Sequence, residues 1–115
     1  MTPYKQGDIV LVPFPFTDLT TTKKRPAVII SSERFNKKYN DVIVVAITSQ
    51  IPESISEEEI LLSPIEQKES GLPKTSLIKI GKISTIDQRL IRKKLGTIPR
   101  TTYKKLIDAI DTIIV

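Results

Sequence analysis

Arg25 and Thr48 are the two residues of this chain whose types could act together chemically. Arg25 stands in Lys23-Lys24-Arg25-Pro26, directly ahead of the apolar run Ala27-Val28-Ile29-Ile30. Thr48 opens the polar triplet Thr48-Ser49-Gln50, directly after Val44-Val45-Ala46-Ile47. A guanidinium is always charged and offers five N–H donors in a fork that fits phosphate oxygens. A hydroxyl held beside it adds one more donor. Such a pair suits a reaction in which anionic charge grows in the transition state, as when a ribose 2′-hydroxyl attacks its own phosphodiester. Arginine is a poor general base, because its pKa exceeds about 12. Its main role would be stabilising the phosphorane, with proton donation to the leaving 5′-oxygen as the second option. Thr48 would bond the scissile phosphate or orient the 2′-hydroxyl. The identity of the general base stays open.

Composition narrows the chemistry from the other side. The chain has 115 residues, with no cysteine and no histidine. Disulfides, thiolate metal sites and imidazole-based triads cannot be built from it. No glycine-rich phosphate loop is present. Asp8, Asp18, Asp41 and Asp87 could supply paired carboxylates, but each sits where an aspartate commonly caps a turn. No metal or other cofactor is expected. No apolar run approaches membrane-spanning length and no signal peptide is evident, so a cytoplasmic protein is expected.

Net charge is +5, from 18 basic and 13 acidic residues. Residues 1–52 hold 7 basic and 4 acidic side chains, residues 53–72 hold 1 and 6, and residues 73–115 hold 10 and 3. Two basic blocks around an acidic insert favour a polyanionic partner. Together with the Arg25–Thr48 pair, this leads to the expectation that two strand ends meet and hold single-stranded RNA.

Short strands must position that pair. The length favours one domain over residues 1–115, and its Ile, Val and Leu content favours strands. After a Gly7-Asp8 turn, Ile9–Val12 reads as a strand apolar on both faces. Pro13-Phe14-Pro15-Phe16 leaves the sheet as an extended arm, because two prolines lack a donor. Phe14 and Phe16 share one side of it; either they cap the core or Phe16 is a base-stacking or partner-binding surface. Thr17–Lys24 is a polar loop. Pro26 opens the next strand, Ala27–Ile30, and Ser32 is placed to cap a helix over Glu33–Tyr39. Asp41–Ile47 is a second core strand, followed by an acidic loop over Ile51–Glu59.

Further strands are expected over Ile60–Leu62, Thr75–Ile80, Ile83–Ile86 and Leu95–Ile98. Gly81-Lys82 should form a bulge or tight bend, Pro64–Ser70 a helical turn, and Asp87–Arg92 a short turn or helix. Tyr103, Leu106, Ile107, Ile110, Ile113 and Ile114 recur at helical spacing, which predicts a C-terminal helix with Thr101 or Thr102 as its N-cap. The fold class expected is mainly β with helices: a small, strongly bent antiparallel β-barrel carrying a C-terminal α-helix.

Several segments in order resemble the PemK/MazF family of toxins from toxin–antitoxin systems. They are Gly7-Asp8-Ile9-Val10, Pro13-Phe14-Pro15-Phe16-Thr17-Asp18, Lys24-Arg25-Pro26-Ala27-Val28-Ile29-Ile30, Ile47-Thr48-Ser49-Gln50, Gly71-Leu72 ahead of Ser76, and Ile83-Ser84-Thr85-Ile86-Asp87. The resemblance covers nearly the whole chain. It implies an SH3-like barrel working as a homodimer, and a metal-independent, sequence-specific endoribonuclease that cuts single-stranded mRNA. The implied products carry a 2′,3′-cyclic phosphate and a 5′-hydroxyl. A cognate antitoxin with an acidic, disordered tail would cover the RNA groove. The family's catalytic arginine and threonine fall on Arg25 and Thr48. The RNA-binding set expected beside them is Phe16, Thr17, Lys24, Ser49, Gln50, Lys82 and Ser84.

One departure stands out. Many members carry Gln-Ile-Arg-Thr where this chain has Lys82-Ile83-Ser84-Thr85. An amide reads a base edge through paired bonds, whereas lysine is a point charge. Two other functions compete with the nuclease: a catalytically degenerate barrel that binds RNA or antitoxin, and a toxin of the same topology directed at gyrase.

Overall fold

The computed structural model describes residues 4–13 and 24–114. Phe14, Phe16 and Thr17, singled out in the sequence, lie outside the described residues. The elements in chain order are β1 (Asp8–Pro13), β2 (Lys24–Ile29), α1 (Glu33–Tyr39), β3 (Asp41–Thr48), β4 (Glu59–Leu61), α2 (Pro64–Glu69), β5 (Leu77–Asp87), a 3₁₀ turn (Gln88–Leu90), β6 (Lys93–Thr97) and α3 (Arg100–Ile114). The strands form one antiparallel sheet in the order β4-β5-β3-β2-β1-β6.

The fold class agrees with expectation in being mainly antiparallel β with a C-terminal helix, but the sheet is not closed. β4 and β6 form its two edges and do not pair with each other. The largest irregularity of its pairing is in β5. Val45 pairs with Ile83 and Ile47 with Ile78, so four residues, 79–82, stand opposite Ala46 alone. Extra residues on one strand bend it and increase its twist. The bulge expected at Gly81-Lys82 is part of this feature, within one continuous strand.

Alternation divides the apolar residues between the two faces of the sheet. Ile9, Val28, Val45, Ile47, Ile78 and Ile80 pack with Leu62, Leu72, Ile98 and Leu106 into one buried cluster. Val10, Val12, Ala27, Ile29, Val42, Val44, Ala46 and Ile86 form the second, joined by Tyr4 and Ile91. β1 therefore feeds both clusters, as its unbroken apolar run predicts.

Each helix start has an identifiable cause. Ser32 accepts from the Phe35 N–H at 3.2 Å and caps α1 as expected. Asn36 of that helix is fully buried and accepts from Ser31 Oγ at 2.5 Å. Ser63 and Glu66 form a capping box at α2. α3 corrects the sequence reading. It begins at Arg100, with the Tyr103 N–H donating to the Pro99 carbonyl at 3.0 Å. Thr102 is not its cap. It is fully buried, and its hydroxyl donates to the Glu66 carboxylate, tying α3 to α2.

Burial raises the Glu66 carboxyl pKa, but the backbone N–H of Ser63, the hydroxyls of Thr102 and Ser63 and the charge of Lys105 outweigh it. The net shift is downward from the ordinary 4.5. A depressed carboxyl stabilises the fold above its unfolded pKa, and that contribution is lost as pH falls through the folded value. Thermal stability measured from pH 7 to 3 should drop below about pH 4.5. Glu66→Gln should be less stable at pH 7 and show a shallower drop in acid. An identical acid limb in that variant would contradict this role.

Candidate functional site

The site begins with a missing hydrogen bond. The Ile30 N–H donates to the Ile43 carbonyl of β3 at 2.9 Å. N–H groups alternate along a strand, so the even-numbered residues of β2 aim theirs at β3. Pro26 is at such a position and has none to give. The ladder between β2 and β3 accordingly starts only at Ala27↔Ala46. β2 itself runs two residues further back than expected, to Lys24, because Pro26 still pairs with Leu11 on the β1 side. Ahead of Ala27, the ends of β2 and β3 are free to part.

Continuing the Ala27↔Ala46 register by two residues sets Arg25 across from Thr48 on one face of the sheet. A cleft of about 230 Å³ opens there, lined by Lys24, Arg25 and Pro26 on one side and Ile47, Thr48 and Ser49 on the other. Arg25 is half-buried and its Nε is out of solvent, whereas Lys24 and Ser49 are exposed. Thr48 Oγ1 accepts from the Gln50 N–H at 3.1 Å. That bond uses one lone pair and leaves the hydroxyl hydrogen available to an anion.

The third wall comes from the segment between α2 and β5: Leu72, Pro73, Lys74 and Ser76. The sequence reading gave these residues no role at the site. The signal available was a lysine in Gly-Leu-Pro-Lys at the foot of a strand. The wall is firmly mounted. The Gln67 side-chain amide donates to the Leu72 carbonyl at 3.2 Å, and the Ser76 hydroxyl to the Lys74 carbonyl at 2.8 Å. Behind it, the backbone of residues 70–71 crosses that of residues 95–96. A Cβ on Gly71 would lie 2.0 Å from the Leu95 carbonyl oxygen, and one on Gly96 2.4 Å from the Ser70 oxygen.

Other expected contacts sit apart from this cleft. Gln50 lines a neighbouring hollow of about 290 Å³ with Glu59 and Lys79, which form a 2.9 Å ion pair. Lys82 and Ser84 are on β5; Ser84 pairs with Val44, four residues back from Thr48. Neither of the two lines the cleft. A larger hollow of about 630 Å³ lies between the start of β1 and α3, lined in part by Gly7, Tyr103 and Asp108. It is at the opposite end of β1 from the Arg25↔Val12 pair and holds neither member of the cation–hydroxyl set. Asp8 and Asp87 act as the turn residues they resemble: Asp8 Oδ2 accepts from the Lys5 N–H at 2.9 Å, and Asp87 Oδ1 from the Arg89 N–H at 2.9 Å. Among the described residues, no group of three acidic side chains could hold a metal ion, and no helix is long and apolar enough to cross a membrane.

The sequence model of the PemK-like, MazF-like toxins of type II toxin–antitoxin systems matches residues 5–114. The chain belongs to this family. Solved structures of similar fold include an endoribonuclease from mycobacterial species in complex with its cognate antitoxin. It is 20% identical with a TM-score of 0.74, over 95% of this chain and 92% of that one. MazF from Deinococcus radiodurans is 16% identical with a TM-score of 0.78, over 99% and 98%. The Mycobacterium tuberculosis toxin MazF-mt6 is 19% identical with a TM-score of 0.71, over 91% and 93%. At these identities the likeness speaks for the fold, and the six-stranded sheet described above is the PemK/MazF fold.

Proposed function

We propose that this chain is the toxin of a toxin–antitoxin pair and acts as a metal-independent, sequence-specific endoribonuclease on single-stranded mRNA. The observation that carries this reading is the cleft that Arg25 and Thr48 both line, just beyond the last β2–β3 pair, Ala27↔Ala46. Its described lining holds three cations, Lys24, Arg25 and Lys74, and no carboxylate. Arg25 stabilises the charge that builds as the 2′-hydroxyl attacks phosphorus, and Thr48 donates to a phosphate oxygen. The products are a 2′,3′-cyclic phosphate and a 5′-hydroxyl. Lys24 and Ser49 flank the reacting phosphate; Phe16, Thr17, Gln50, Lys82 and Ser84 contact bases or backbone further along the strand.

The test is incubation of the purified protein with long RNA in EDTA, followed by analysis of the ends. Cleavage leaving cyclic phosphate supports the reading. Intact RNA that is nevertheless bound would favour the degenerate binding module, which the Lys82 and Ser84 departures motivate. Inhibition of supercoiling without RNA cleavage would favour a gyrase-directed toxin. Thr48→Val keeps the side-chain shape and removes the hydroxyl. It is expected to slow cleavage about 100-fold, with Thr48→Ser largely retaining the rate. Equal activity of Thr48→Val and wild type would remove Thr48 from the chemistry.

The same reading includes a homodimer and an acidic antitoxin. Leu61, Ile65, Ile113 and Ile114 are exposed apolar side chains, which an interface between copies would cover. Light scattering at micromolar concentration should give twice the chain mass. An acidic, disordered antitoxin tail would compete with RNA for the cationic cleft, so adding the antitoxin should protect RNA from cutting.

A further inference from the structure

We infer that Lys74 is a phosphate-binding residue of the cleft, holding a phosphate that flanks the scissile one and fixing the register of the RNA strand. This deepens the proposed ribonuclease reading and rests on it for the identity of the anion. Arg25 and Thr48 sit on the ends of β2 and β3; Lys74 lines the same cleft from the segment leading into β5, whose first residue, Leu77, pairs with Thr48. Lys74 is exposed, so a ligand can reach it.

Its backbone is fixed by three independent devices. Pro73 restricts the chain ahead of it. Ser76 Oγ bonds its carbonyl at 2.8 Å. The close crossing of Gly71 with Leu95 and Gly96 anchors the segment from behind. A lysine on a fixed mount, in a cleft whose described lining holds two other cations and no carboxylate, has a polyanion as its natural ligand. Because it holds a flanking phosphate and not the reacting one, it binds the strand equally in the ground and transition states. Such a contact acts on KM and leaves kcat alone.

The experiment compares wild type, Lys74→Gln, Lys74→Arg and the control Lys104→Gln. Lys104 is an exposed cation beside the larger hollow, away from the cleft. One arm measures binding of an RNA carrying 2′-O-methyl groups, which cannot be cut, across a salt series. The other measures cleavage kinetics. Lys74→Gln should weaken binding about tenfold at low salt and reduce the salt slope by about 0.7. KM should rise with kcat nearly unchanged, and Lys74→Arg should restore both. Unchanged affinity and slope in Lys74→Gln would overturn the inference. So would an equal loss in Lys104→Gln, which would mark the effect as general charge, or a fall in kcat at constant KM. If the wild-type protein leaves RNA uncut, the nuclease reading fails, while the binding arm still decides for or against Lys74.

Discussion

Arg25→Ala is expected to slow RNA cleavage about 100- to 1,000-fold while leaving the thermal midpoint of unfolding nearly unchanged. The rate effect is large because a half-buried guanidinium is already oriented when charge develops on the phosphorane, and water entering the emptied space must reorganise to replace it. The stability effect is small because Arg25 precedes the first pair of the β2–β3 ladder and lies in neither apolar cluster. Arg25→Lys separates charge from geometry. A point charge replaces the fork, so most of the loss should remain despite the conserved charge. Single-turnover rates at saturating enzyme, with calorimetry on the same samples, provide the check. If Arg25→Ala cuts at the wild-type rate, the catalytic assignment is wrong.

Gly71→Ala carries the largest expected effect on folding. Gly71 has φ +73°, which an L-residue adopts only at a cost of about 1–2 kcal/mol. Its new methyl would also sit 2.0 Å from the Leu95 carbonyl oxygen, where the obstacle is backbone and cannot rotate aside. Overpacking of this kind costs about 1–3 kcal/mol more. A total near ~3 kcal/mol should lower the melting temperature by roughly 10 °C. Gly96→Ala meets the same crossing from the other strand, 2.4 Å from the Ser70 oxygen, with no φ penalty, and should cost less. Gly81→Ala finds nothing within 4 Å and serves as the control. Melting curves ranking Gly71→Ala level with Gly81→Ala would show that the crossing gives way easily.

The parts of this molecule legible in the sequence are those fixed by local pattern. Ile9, Val10 and Val12 could be assigned to a strand buried on both faces because an unbroken apolar run has no solvent side. Ser32 could be assigned as a cap because an N-cap needs only the N–H groups that follow it. Arg25 and Thr48 could be expected to line one cleft because one stands ahead of an apolar run and the other closes one.

The misread parts depend on distant partners. Thr102 has the residue type and position of a cap, yet its hydroxyl is taken by Glu66, which is 36 residues away. The helical turn expected over Pro64–Ser70 is present as α2, started by a Ser63–Glu66 capping box that the expectation does not include. The Gly-Leu-Pro-Lys signal alone does not single out Lys74 among 18 cations. Its place in the cleft is set by the Gly71–Gly96 crossing, between residues 25 apart in the chain. The mainly antiparallel, barrel-like fold class agrees with the sequence; that β4 and β6 stay apart as edges is a detail that alternation within each strand cannot specify.

The Gly71–Gly96 crossing also governs when the cleft exists during synthesis. Its far wall leans on a strand that leaves the ribosome 25 residues after Gly71, and that strand must then pair with the first one, Thr97 with Asp8, across 89 positions. Pairings so remote in the chain form late. A nascent polypeptide stalled anywhere short of β6 therefore has Arg25 and Thr48 but no complete groove. Whatever the cleft binds, the chain binds it in full only once the last strand is home.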